Sequence, residues 1–208
     1  MAITASLEPR ISTIIRAMGS VMGGAGSDII LDGASIGMSI AAVPEVQSAV
    51  LVNTGPAALD GRIVINKIDD FLSVTGKTPF IKYSENRING QSTGRILISL
   101  DLETAPDFLT LLSEEAVNYL VALMAPAALG EPLTKSEYLF LVSTVYGQAA
   151  ANEIRDAKIN AVIQLPGPVK TVTGGSANSV ANGARANFEI PLIDILVLET
   201  PQSWEITW

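Results

Sequence analysis

At 208 residues, 48% of them apolar, the chain is long enough to bury a core without staples, and with no long linker in view it is expected to fold as a single domain over residues 1–208. Thirteen basic against twenty-one acidic residues leave a net charge of −8 with no basic run, which argues against nucleic acid and against docking on anionic lipid headgroups. Cysteine and histidine are both absent, so there is no thiol nucleophile, no Ser-His pair, no imidazole acid or base, no usual zinc site and no disulfide.

Residues 1–7 alternate, with Ile3, Ala5 and Leu7 on one side, as in a short strand. Leu7, Ile11, Ile14, Ile15, Met18, Val21 and Met22 then recur at helical spacing, giving an amphipathic helix over 8–22 capped by Ser6 and ended by Gly19, Gly23 and Gly24. Gly23-Gly24-Ala25-Gly26 is not a phosphate loop, because no strand precedes it, no Lys follows it, and a helix C-terminus repels anions. Asp32 caps a second helix through Ala34 to Ala42. Val46 to Asn53 and Arg62 to Ile68 read as strands, separated by turn residues at Thr54-Gly55-Pro56 and Leu59-Asp60-Gly61. Asp69-Asp70 fit the start of a short helix better than a metal site, and Asp101/Glu103 and Glu114/Glu115 are read the same way. Phe80 to Tyr83 and Gly94 to Leu102 form a hairpin around a polar loop, Ser84 to Thr93, whose Glu85, Asn86, Arg87, Asn89 and Gln91 could face a partner.

The chain is organised around residues 104–157. Residues 116–130 and 138–152 carry no charge, so two helices here must hide most of their surface, and they are expected to form a central, roughly antiparallel pair. The first opens at Thr104 with Pro106 in its first turn, bends near Ser113, and stops before Pro126. The second opens at Thr134-Lys135-Ser136-Glu137, a capping box, and lines up Tyr138, Val142, Val145 and Ala149. Proline and glycine interrupt both runs, so neither is long enough to span a membrane as a helix. Beyond them, Lys158 to Leu165, Val169 to Val172 and Arg185 to Ile190 read as strands, with a loose loop from Gly174 to Gly183. Ile195 to Glu199 and Trp204 to Trp208 read as closing strands. The expected class is α+β, a mixed and mostly antiparallel sheet packed against helices.

Ile163-Gln164-Leu165-Pro166-Gly167-Pro168-Val169, Gly174-Gly175, Ala186-Asn187-Phe188-Glu189-Ile190-Pro191-Leu192 and the terminal Trp-Glu-Ile-Thr-Trp resemble uncharacterised envelope lipoproteins of spirochaetes. More distantly, the order of strand, Pro-Gly, glycine-rich loop and strand resembles the LppM-like lipoprotein domain. The resemblance is carried by turn and strand chemistry from about Ser99 onward. It implies a periplasmic, lipid-anchored domain, although this sequence has neither the family's signal segment nor its lipidated Cys.

No nucleophile or acid/base pair can be named, so a non-enzymatic role without cofactor or metal is expected. One reading is a domain that binds a lipid or other apolar small molecule on a surface formed by Ile14, Met18, Leu120, Met124, Tyr138 and Val142. The alternative is a structural or protein-interaction module of the envelope, meeting envelope proteins through its polar loop and sheet edges. A dry cavity beside the helices would favour the first and close packing there the second.

Overall fold

The structure is a computed structural model that describes residues 2–7, 32–42, 44, 46–55, 58–65, 80–88, 90–109, 114–174 and 178–208. The helix expected over 8–22, the glycine run at 23–26 and the Asp69-Asp70 pair lie outside the described residues.

The fold is α+β, and every strand pairing among the described residues is antiparallel. Two sheets replace the one expected. The larger contains β1 (Ala2–Leu7), β2 (Val46–Gly55), β3 (Ala58–Ile65), β6 (Lys158–Gln164), β8 (Asn178–Asn182) and β9 (Arg185–Pro191), in the order β2-β3-β1-β6-β9-β8. The smaller contains β4 (Ile81–Ile88), β5 (Gln91–Leu100), β7 (Thr171–Gly174) and β10 (Gln202–Thr207), in the order β4-β5-β10-β7. Strand β10 shows period-two burial plainly, with Gln202, Trp204 and Ile206 inward and Ser203 outward. A core of Ile96, Leu100, Ile163, Ala186, Phe188, Trp204, Ile206 and Trp208 draws on both sheets.

The helices run α1 (Gly33–Ala41), α2 (Ala105–Leu109), α3 (Glu114–Ala122), α4 (Pro126–Leu129), α5 (Lys135–Tyr146), α6 (Gln148–Asp156) and α7 (Leu192–Val197). Asp32 caps α1 as expected, accepting from the backbone N–H groups of Ala34 and Ser35. The central pair is subdivided. Pro106 does sit in the first turn of α2, but Pro126 opens the extra turn α4 as well as following α3, since proline is tolerated at a helix start. The second helix breaks at Gly147, whose φ of 89° no helix accommodates, so α6 leaves in a new direction. That break ends the expected stripe: Tyr138 and Val142 are buried, whereas Val145 and Ala149 are exposed.

Four further expectations are corrected. Leu59-Asp60-Gly61 is not a turn but the start of β3, where Gly61 faces β2 so closely that a Cβ would lie 2.2 Å from the Val50 carbonyl oxygen. The polar stretch Ser84 to Thr93 is not a loop. It continues both strands of the hairpin to the pair Ile88 and Gln91, and Gly90 turns the chain at a φ of 80°. Within the expected loop Gly174 to Gly183, residues 178–182 form β8 against β9. Ile195 to Glu199 does not form a strand: residues 192–197 are helical, closed by Leu198 in the left-handed region. The Ile-Leu-Val-Leu run is buried all round, and such a run fits a short core helix as well as a strand.

Candidate functional site

The helical cluster holds four of the six residues expected to form an apolar surface; Ile14 and Met18 lie outside the described residues. Tyr138 and Val142 have 0% exposure and pack with Leu123, Ala150, Ile154, Leu196 and Val197. Leu120 is half-buried against the same cluster. Met124 is also half-buried and ends α3 with a left-handed φ of 53°. The structure therefore gathers Leu120, Tyr138 and Val142 into one interior, with Met124 at the neighbouring turn.

The polar tips in this interior are used. The Tyr138 hydroxyl donates to the Leu123 carbonyl at 3.2 Å, and the Tyr146 hydroxyl donates to the Ala122 carbonyl at 2.6 Å. A helix leaves its last carbonyls without intrahelical partners, so two tyrosines of α5 satisfy the end of α3. Burial raises the Tyr138 phenol above its ordinary range, with Tyr146 adding to the effect, so it stays a neutral donor. The capping box at the start of α5 has both its bonds, from the Glu137 N–H to the Thr134 hydroxyl and from the Thr134 N–H to the Glu137 carboxylate. Nearby, Lys135 Nζ pairs with the buried Asp194 of α7 at 2.5 Å.

A second constellation lies in the smaller sheet. The Glu85 carboxylate accepts from Ser92 Oγ at 2.7 Å, from Tyr83 Oη at 2.7 Å and from Arg87 Nε at 2.8 Å. Ser92 Oγ in turn accepts from Trp208 Nε1 at 3.1 Å. The Trp208 ring lies beside Gly94 and Gly167, where an added Cβ would come within 2.3 Å and 3.2 Å of it, and its plane is tilted 37° to Tyr83. Backbone bonds of 3.0 Å run both ways between Gly94 and Trp208, and Lys170 Nζ reaches the Trp208 carbonyl at 3.3 Å. Sequence reading named Glu85 and Arg87 as loop residues but missed Tyr83, Ser92 and Trp208, and the Asn89-Gly90 dipeptide was the signal for the hairpin that aligns them.

The chemistry of this group is restricted. Hydrogen bonds from Ser92, Tyr83 and Arg87, in that order, lower the Glu85 carboxyl from 4.5 to about 2. A carboxylate that acidic is a poor general base, so the serine beside it is not activated as a nucleophile. The group acts as a clasp that fastens Trp208 to the β4–β5 hairpin.

No family model, curated protein or solved structure matches the chain.

Among the described residues no group of three or more Asp and Glu side chains is placed to hold a metal ion, and no helix is long and apolar enough to cross a membrane.

Proposed function

We propose that the protein is a non-enzymatic module of the cell envelope that works by meeting other protein surfaces and carries no apolar ligand in its helical interior. The supporting observation is the state of Tyr138 and Val142. Both are without exposure, and the one polar atom between them is spent on the Leu123 carbonyl. A ligand pocket would leave such side chains lining open space with a few polar groups turned toward the guest. The envelope setting follows from the resemblance carried by residues 163–208. The absence of an activated nucleophile around Glu85 and Ser92 supports the non-enzymatic part of the reading.

The test is native mass spectrometry of purified protein, paired with organic extraction and analysis for lipid. The reading expects masses that are whole multiples of the chain mass and an extract free of stoichiometric lipid. A retained apolar molecule, lost on substitution of Val142 by a larger side chain, would overturn it in favour of ligand carriage.

A further inference from the structure

We infer that the protein pairs with a second copy of itself along strand β2, joining two six-stranded sheets edge to edge about a two-fold axis. The inference rests on the interaction-module reading and names the partner.

Sheet edges invite pairing, and proteins blunt them by making them short or charged. Three of the four edges here are blunted. Strands β7 and β8 span only Thr171–Gly174 and Asn178–Asn182, and β4 carries Lys82, Glu85 and Arg87. Strand β2 is different. It runs over Val46–Gly55, contains no charged residue and no proline, and has β3 as its one neighbour among the described strands. Its flanks are apolar as well. On one face Val50 and Val52 are 62% and 54% exposed. Helix α1 lies over the other face through Gly33 and Gly37, with the Gly33 N–H donating to Asn53 Oδ1, and its Met38 is 66% exposed. Three of the exposed large apolar side chains therefore surround one unprotected edge.

Charge selects a second copy as the occupant. A chain of net charge −8 repels its twin, so a homotypic contact must be made where charge is absent or self-compensating. In β2 an antiparallel two-fold centred on Leu51 sets Val50 of one copy opposite Val52 of the other, and β-branched pairs of this kind stabilise sheets. On β3, Arg62 lies opposite Val50 and Asp60 opposite Val52. The same two-fold gives each outward row an Arg62 from one copy at one end and an Asp60 from the other copy at the far end. Opposite charges thus share each row, and no like pair is created.

Sedimentation equilibrium of the whole chain tests this at low salt, with circular dichroism to monitor the fold. Wild type should sediment at twice the chain mass. V50K/V52K sets lysines opposite each other in this register and should weaken association by at least about tenfold, because like charges directly opposite are destabilising. V50K/V52E sets lysine opposite glutamate and should restore the dimer. If V50K/V52K loses its fold, V50K and V52E prepared separately and mixed in equal amounts should associate more tightly than V50K alone. A monomeric wild type, or a V50K/V52K variant that dimerises as wild type does, would overturn the inference. A lipid-free monomer would leave the interaction-module reading standing, whereas a bound lipid would remove that reading whatever the mass.

Discussion

Replacing Glu85 with Gln probes the clasp around Trp208 through a single atom change. In the wild type one carboxylate accepts from Ser92, Tyr83 and Arg87, all within 2.8 Å, and its side chain is 20% exposed. The amide keeps one oxygen but turns an NH2 group toward a donor, so at least one of the three bonds is lost and the charge assistance with it. The carboxyl is lowered from 4.5 to about 2, and at about 1.4 kcal/mol per unit this sets a ceiling of roughly 3 kcal/mol on what ionised Glu85 contributes. Partial solvent screening brings the expected loss to about 1–2 kcal/mol. Because the folded value lies below the unfolded one, this contribution is fully present above about pH 4.5 and disappears as the pH falls through about 2. Urea melts of E85Q and wild type should therefore differ by about 1–2 kcal/mol at neutral pH and converge in strong acid. A difference below about 0.5 kcal/mol at neutral pH, the range of an ordinary surface change, would refute the reasoning. So would a difference that does not shrink in acid.

Gly94→Ala should destabilise by about 1–3 kcal/mol, because the added methyl meets the Trp208 ring at 2.3 Å and the Ser84 carbonyl oxygen at 2.4 Å; a thermal melt reads this, and an unchanged melting temperature would show that the ring moves aside freely. Val142→Ala should cost about 2 kcal/mol through lost burial and a cavity, while Phe140→Ser on the same helix, at a side chain 74% exposed, should stay within about 0.5 kcal/mol; equal losses from the two in denaturant titration would contradict the assignment of faces on α5.

Local chemistry was legible in the sequence and long-range geometry was not. Asp32 capped α1 and Thr134 with Glu137 boxed α5 because these bonds span only three residues. The apolar run at 195–198 misled because it has no period of its own, and only its surroundings, including the buried pair of Asp194 with Lys135, decide for a helix. Gly61 was read as a turn because glycine serves both turns and close backbone approach, and the strand it approaches fixes which. For the apolar surface, spacing placed Tyr138 and Val142 on one side of a helix but could not say what lies opposite. The clasp depends on Trp208 meeting Ser92 across 116 residues, a contact that no local pattern carries.

The first and last described strands both occupy interior positions: β1 lies between β3 and β6, and β10 lies between β5 and β7. Neither sheet can be closed by neighbours in sequence, since Ala2 must find Gln164 and Gln202 must find Leu100. Each such closure spends chain entropy before any contact rewards it, and topologies of this kind refold on the millisecond-to-second scale rather than in microseconds. The helices of residues 105–156, joined by short connections, can assemble first. The two sheets then close around them, so mutations in β1 and β10 should slow refolding less than they speed unfolding, the signature of elements that join after the rate-limiting step.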